Sequence, residues 1–347
     1  MGNVASRILH CMASLCSKLY GSQEKQDLNT HVSINENPNP TYSWDKKIKI
    51  DRSKYAIENL TSETVIKYPG DVDGGRLLIN NICRCNIIVL DNISTVTLDN
   101  VKNSKIFLSP VKSSLFIRNS SDCCLVCSVQ QFRARDCQNI TVNVHCTTKP
   151  IIESCSDITF SCYQFFHEDL KEQLNKAEMS IFNNNWYDVY DFTPNKEDPN
   201  FKLLKNDQIS MDNVLDLNAC LLNSGSKHYL HQNEFIPKTL GNHHYLDNKY
   251  TKFVAIYDTV DIVTAFINEL KTPIIKCWEL NLKKDDIQRI FKEMIVGKFP
   301  VKIIGIEFYD RHGTIDEMKL RETYPNLVVR DATVSEIFFN HVLSLMG

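Results

Sequence analysis

Ile79-Asn80-Asn81-Ile82-Cys83-Arg84-Cys85, Leu98-Asp99-Asn100-Val101-Lys102-Asn103, Ile117-Arg118-Asn119-Ser120-Ser121-Asp122, Ala134-Arg135-Asp136-Cys137-Gln138-Asn139 and Ile152-Glu153-Ser154-Cys155-Ser156-Asp157 are five versions of one phrase. They recur about every 19 residues between Leu77 and Tyr163. Each phrase follows an apolar residue with Asn, Asp and Ser, the side chains that turn a chain by bonding their own backbone. A second register of short β-type runs lies beside the first, written NIIVL, KIFL, CLVC, NITV and DITF, and aligns Ile87, Ile106, Leu125, Ile140 and Ile158. A single rung of this kind cannot bury its apolar side, so the rungs must stack. A parallel β-helix closed on Ile, Leu, Val, Phe and Cys is the expected fold. The spacing tightens between Leu125 and Ile140, which predicts one rung shorter than its neighbours.

Period-two alternation decides which side chains leave the coil. In Gln130-Gln131-Phe132-Arg133-Ala134-Arg135-Asp136 the repeat sets Phe132 beside Leu115 and Val96, and Ala134 beside Ile117 and Leu98, all inside. Gln131, Arg133 and Arg135 then face outward on one strand of a rigid coil, as a reproducible site requires. An outward arginine on a strand is, taken alone, more often a solvated face than a site.

These residues also carry a resemblance. Tyr42-Ser43-Trp44-Asp45, Gln130-Gln131-Phe132-Arg133 with Arg135-Asp136-Cys137, Pro150-Ile151-Ile152-Glu153, Ser180-Ile181-Phe182-Asn183-Asn184 and Asp191-Phe192-Thr193-Pro194 occur in one order. In this the chain resembles the tubulin-folding cofactor C family, strongly from Tyr42 to Pro194 and weakly beyond. The resemblance implies a right-handed β-helix, an accessory C-terminal domain, and GTPase-activating action on an Arf-like small GTPase in its GTP form. It implies Arg133 as an arginine finger and Gln131 as its companion at the nucleotide or the catalytic glutamine. Glu153 and Phe192 are implied as contacts to the GTPase. Arg135 either holds the interface or braces Asp136. GTP and Mg belong to the partner, and the chain carries no cofactor or metal of its own. A non-catalytic scaffold of the GTPase, or a tubulin-folding cofactor, is the alternative reading.

The N-terminus, Met1-Gly2-Asn3-Val4-Ala5-Ser6, fits an N-myristoylation signal at Gly2. Ile8, Met12, Leu15, Cys16 and Leu19 recur at helical spacing behind it, and Cys11 or Cys16 could take a palmitoyl chain. One acyl chain binds reversibly, so a second anchor decides between visiting a membrane and residing there. The relative most resembled has a cysteine directly after the acylated glycine, where this chain has Asn3. A cytoplasmic membrane face, at the plasma membrane or cilium base, is the expected location, and lipidated-cargo trafficking the expected process.

The remaining organisation follows from texture. Residues 1–40 read as an acylated tail and tether, 41–194 as the β-helix domain, 195–250 as a connector with helix near Met211 to Leu222, and 251–347 as an α/β domain. In the last, strands over Lys252–Tyr257, Pro273–Leu280 and Val301–Phe308 alternate with helices over Val260–Leu270, Asp285–Met294 and Val334–Leu345. The resemblance makes this domain nucleoside diphosphate kinase-like (ferredoxin-like). The His-Gly-Ser setting of such kinases is missing, the one His-Gly being His312-Gly313 before Thr314, so no kinase activity is expected. Lys and Arg total 39 against 42 Asp and Glu, a net charge of −3, which gives no global field for nucleic acid. The thirteen cysteines read as reduced, small core residues, and Cys124-x-x-Cys127 and Cys83-x-Cys85 lack the second matched pair of a zinc site. No glycine lies between Gly75 and Gly225, so the coil holds no glycine-rich phosphate loop. His243-His244 is expected in solvent.

Overall fold

A computed structural model describes residues 52–204, 212–232, 235–241, 248–292, 299–313 and 315–346. Gly2, Cys11, Cys16, the Tyr42–Asp45 block and His243-His244 lie outside the described residues, as does the Met211 start of the connector helix. A short helix, Arg52–Tyr55, leads into a coil of parallel strands: β1 (Ala56–Thr61), β2 (Thr64–Lys67), β3 (Arg76–Cys83), β4 (Asn86–Val89), β5 (Thr95–Lys102), β6 (Lys105–Arg118), β7 (Ser121–Arg135), β8 (Gln138–Cys146), β9 (Ile151–Glu153) and β10 (Ser156–Cys162). One wall runs Ile57, Ile79, Leu98, Ile117, Ala134, Ile152, each paired with the next. This is the register read from the sequence. The second wall pairs Val65, Ile87, Ile106, Leu125, Val142 and Phe160. Here Leu125 faces Val142, not Ile140; Ile140 pairs with Cys123 and with Ile158. The short rung is the one after Leu125, as expected: Cys127 to Gln131 rounds the corner that Leu108 to Ser114 rounds in the rung before, and the ladder shifts twice there. Ser120 bonds Val101 at a separation of 19 residues, whereas Ser114 meets Gln131 at 17.

The corners explain how a coil turns without glycine. Asn59, Asn81, Asn100, Asn119, Asp136 and Ser154 stand in one left-handed column with φ between 51° and 57°. Ser62, Arg84, Asn103, Asp122, Asn139 and Asp157 form a second, three residues on, with φ between 50° and 59°. Asn and Asp tolerate this conformation because the short side chain bonds locally. Here the side chains also bond between rungs, Asn81 Nδ2 to Asn59 Oδ1 at 3.2 Å, Asn100 Nδ2 to Asn81 Oδ1 at 2.8 Å and Asn139 Nδ2 to Asp122 Oδ1 at 2.8 Å. Small residues fill the corners. Ser104 and Ser120 donate to the carbonyl two residues before, as do Cys85, Cys123, Cys137 and Cys155. Cysteine therefore serves as an interchangeable corner plug with serine, and the eleven cysteines among the described residues are free thiols.

The second wall is apolar on both sides. Ile87, Val89, Ile106 and Leu108 point inward, while Ile88, Leu90, Phe107 and Val126 point outward and are equally buried. They pack against Tyr163, Phe165, Leu170 and Leu174, and the same cluster continues into the C-terminal domain through Val254, Ile256, Ile306 and Phe308. Among the described residues the first wall has no such cover.

After β11 (Phe165–Phe166) and helix Leu170–Lys176, the strands β12 (Tyr190–Asp191) and β13 (Phe201–Leu203) extend the two walls, pairing with β9 and β10. β13 lies within the stretch read as connector. The connector also holds helix Asp212–Asn223 and β14 (His231–Gln232), which pairs with β11. The C-terminal sheet comprises β15 (Thr251–Ile256), β16 (Ile274–Leu282), β17 (Val301–Tyr309) and β18 (Leu327–Asp331) in the order β16-β17-β15-β18, all antiparallel. With helices Val260–Glu269 and Glu317–Thr323 as the crossings, this is the ferredoxin-like arrangement. Helices Lys284–Phe291 and Ala332–Met346 cover the other face through Ile287, Ile290, Phe338 and Val342. Gly305 lets that cover close, since a Cβ there would sit 2.5 Å from the Phe338 ring.

The Ser180–Asn184 block fastens the two parts. Asn183 Oδ1 accepts from the Glu279 backbone N–H at 2.7 Å and its Nδ2 donates to the Glu279 carbonyl at 3.2 Å, so one amide extends the edge of β16. Asn184 Oδ1 accepts from the N–H groups of Cys146 at 3.0 Å and Trp186 at 3.1 Å. Asn184 is buried, so Asn184→Ala leaves two N–H groups without partners and should cost about 3 kcal/mol, measured by urea unfolding.

His145 is fully buried, its Nδ1 2.7 Å from Ser128 Oγ, and burial pushes its imidazole down to about 4. A histidine held neutral in the fold contributes stability that is complete above the unfolded value of about 6.5 and is lost as pH falls towards 4. Acid titration of unfolding free energy should therefore show a component in that window that is missing in His145→Gln.

Candidate functional site

The first wall carries the outward side chains of β6, β7, β9 and β12 in straight columns, since parallel in-register strands stack about 4.8 Å apart. One column reads Leu78, Thr97, Phe116, Arg133, Ile151, Tyr190. The next reads Asn80, Asp99, Arg118, Arg135, Glu153. Gln131 follows Ser114 on the other flank. The fold thus brings Gln131, Arg133, Arg135 and Glu153 together on one surface.

Arg133 differs from its basic neighbours in what it touches. Arg118 Nη2 lies 2.9 Å from Asp99 and Arg135 Nε 3.3 Å from Asp136, so both charges are compensated. The ion pair to Asp136 is present in the chain by itself, and it leaves the Arg135 side chain partly exposed. Arg133 has no carboxylate partner among the described residues. Its column neighbours are Phe116 and Ile151, its guanidinium carbon lies 5.8 Å from the centre of the Phe116 ring, and its buried Nε has no hydrogen-bond partner. A planar cation stacked on an aromatic face keeps its charge and its outer N–H donors while losing rotamer freedom. Gln131 is braced in the same manner from the preceding rung, its Oε1 accepting from Ser114 Oγ at 3.2 Å.

Phe192 joins this surface through a built turn. The Phe192 N–H donates to the Ile152 carbonyl at 2.9 Å, which places Phe192 next to the Glu153 column. Asp191 Oδ1 accepts from the Thr193 N–H at 2.9 Å, Thr193 Oγ1 accepts from the Ser154 N–H at 2.7 Å, and Asn200 Nδ2 bridges Asp191 Oδ2 and the Thr193 carbonyl. With its backbone so held, Phe192 is 47% exposed and stacks edge to face on Tyr190, also 47% exposed, at 4.8 Å. Two exposed aromatic rings thus lie on the same wall as Arg133, which has no carboxylate partner among the described residues. Sequence reasoning missed Tyr190, Phe116 and Ser114. Alternation with Phe192 could have found Tyr190. The two braces follow from the register once β6 is laid against β7. Among the described residues no three His, Cys, Asp or Glu side chains are grouped to hold a metal ion, and no helix is long and apolar enough to cross a membrane.

The sequence profile of the Tubulin binding cofactor C family matches residues 74–192, the coil and the turn bearing Phe192. The chain is 33% identical over 305 residues to Protein XRP2 of Homo sapiens, covering 83% of this chain and 85% of that one. The chain belongs to the XRP2 family. Protein XRP2 of Danio rerio is 39% identical over 196 residues, 56% of this chain and 52% of the relative. Among solved structures, Tubulin Binding Cofactor C from Leishmania major matches with a TM-score of 0.31 at 19% identity, over 44% of this chain and 90% of that one.

A side chain with a buried unpaired atom and no ion pair among the described residues contributes little to the fold that holds it. Arg133→Ala should shift unfolding free energy by less than about 1 kcal/mol, whereas Phe132→Ala, which empties a fully buried core position in the same strand, should cost about 3 to 5 kcal/mol. Urea unfolding of the two variants checks the contrast.

Proposed function

We propose that this protein is a GTPase-activating protein for an Arf-like small GTPase, acting in trans on the partner's GTP. The observation that carries the reading is Arg133: an arginine without a carboxylate partner among the described residues, stacked on a rigid wall that also carries Gln131, Arg135, Glu153 and Phe192. GTP hydrolysis spreads negative charge over the phosphoryl oxygens in the transition state, and an arginine supplied in trans stabilises it by roughly 10³ to 10⁵ in rate. Binding places the Arg133 guanidinium beside the γ-phosphate held by the partner with its Mg, and Gln131 beside the nucleotide or the partner's catalytic glutamine. Glu153, Phe192 and Tyr190 hold the partner's surface. Arg135, tied to Asp136, keeps the adjoining strand edge in place.

Gly2 is the proposed acylation site, with Cys11 or Cys16 as a second anchor, which places the activity at the cytoplasmic face of membranes, including the cilium base, where lipidated cargo is handled. The C-terminal domain is read as accessory and without kinase chemistry.

Single-turnover GTP hydrolysis across a panel of purified Arf-like GTPases tests the proposal. One partner should be accelerated, and both Arg133→Ala and Arg133→Lys should lose about a thousandfold or more of that acceleration while retaining affinity, because a lysine offers only a point charge. Equal acceleration by Arg133→Ala would overturn the finger assignment. The family description, Tubulin binding cofactor C, supports a second reading as a tubulin-folding cofactor or non-catalytic scaffold. Binding of GTP-loaded partner or tubulin with no acceleration by the unaltered protein would favour it.

A further inference from the structure

The corner plugs of the coil are mostly isolated from one another by chemistry. In the second corner column Ser104 separates Cys85 from Cys123. In the first column, Leu60, Ile82, Val101 and Ser120 precede two cysteines in successive rungs, Cys137 and Cys155. Their rungs are locked in register by the pairing of Arg135 with Glu153, which sets equivalent backbone positions about 4.8 Å apart, inside the Cα range of a disulfide. The two side chains interact thiol to thiol, which favours ionisation of Cys155 at the expense of Cys137.

We propose that Cys137 and Cys155 are a peroxide-responsive thiol pair that closes to a disulfide across two rungs of the coil. The corner is at the rim of the molecule: Cys155 is 6% and Cys137 3% exposed, between exposed Asp136, Gln138 and Ser154. Cys127, Cys146 and Cys162 are fully buried in the interior, out of reach of a water-borne oxidant. The chemistry needs a hydroperoxide. The Cys155 thiolate attacks the outer oxygen, the O–O bond breaks, the alcohol or water leaves with a proton, and Cys155 becomes a sulfenic acid. The Cys137 sulfur then attacks the Cys155 sulfur, the S–O bond breaks, and the hydroxyl departs as water with the Cys137 proton. Two thiols have given two electrons to one peroxide.

The fold tolerates the loss of both S–H donors. Cys137 donates to the Arg135 carbonyl at 3.2 Å and Cys155 to the Glu153 carbonyl at 3.2 Å. Each carbonyl keeps a second donor, the backbone N–H of Asn119 at 3.2 Å and of Asp136 at 3.1 Å, so neither is orphaned by oxidation. The bond would clamp together the rungs that carry Arg135 and Glu153, behind the first wall.

Full-length protein, reduced, desalted and treated with one equivalent of hydrogen peroxide, should lose two of its thirteen thiols. Peptide mapping should return a Cys137–Cys155 linkage that dithiothreitol reverses. Serine already fills the same corner position at Ser120, so Cys137→Ser and Cys155→Ser keep the fold. Cys155→Ser should lose no thiols under the same treatment, and Cys137→Ser should stop at a Cys155 sulfenic acid that dimedone traps. A linkage between other cysteines, wild-type Cys155 ending as sulfinic acid, or Cys137→Ser giving no dimedone adduct at Cys155 would each overturn the proposal. None of these readouts depends on GTP turnover.

Discussion

The constraint on which the molecule depends is that no rung can bury its own interior. Ile79 is covered because Leu98 lies on it, Leu98 because Ile117 does, and so to Ile152. That forces strict register, and strict register forces the corners to recur at the same place in every turn. Side chains that accept a left-handed backbone, Asn, Asp and Ser, are then required at matching spacings, and small residues must fill the bends between them. The cysteine content follows from the same demand.

Stacking also accounts for the surface. A coil with two broad walls must leave both exposed unless something else is added, and among the described residues a layer lies over one of them. The outward Ile88, Phe107 and Val126 are meaningful once Tyr163, Leu170 and the C-terminal sheet are seen against them. The other wall keeps its polar and aromatic side chains in columns, and which arginines find a carboxylate among the described residues is a consequence of which residue falls beside which in the register.

Much of this was legible in the sequence. The wall from Ile79 to Ile152 could be read from spacing because its corners are explicit and its alternation clean. The second wall was misaligned at Ile140 because the lost residues fall between Cys127 and Gln131, a corner without the Asn and Asp that mark the others, so the shortfall could not be placed and Val142 was passed over for Ile140. Runs such as Ile87-Ile88-Val89-Leu90 were read as strand without the inference that an unbroken apolar strand is covered on both faces. β18 and helix Glu317–Thr323 escaped because five and seven residues are too few to show a period. The site residues came from alternation and from resemblance, while the braces, Phe116 and Ser114, depend on contacts between rungs that no single strand displays.

The turn at Asp191–Thr193 has a consequence for how association would be paid. A loop that must fold on meeting a partner surrenders entropy at that moment, which weakens the bond it makes. Here the aromatic pair rides on a strand end already pinned by Ser154, Asp191 and Asn200. Whatever lands there finds its landing place already set, and the burden of adjustment shifts to the visitor.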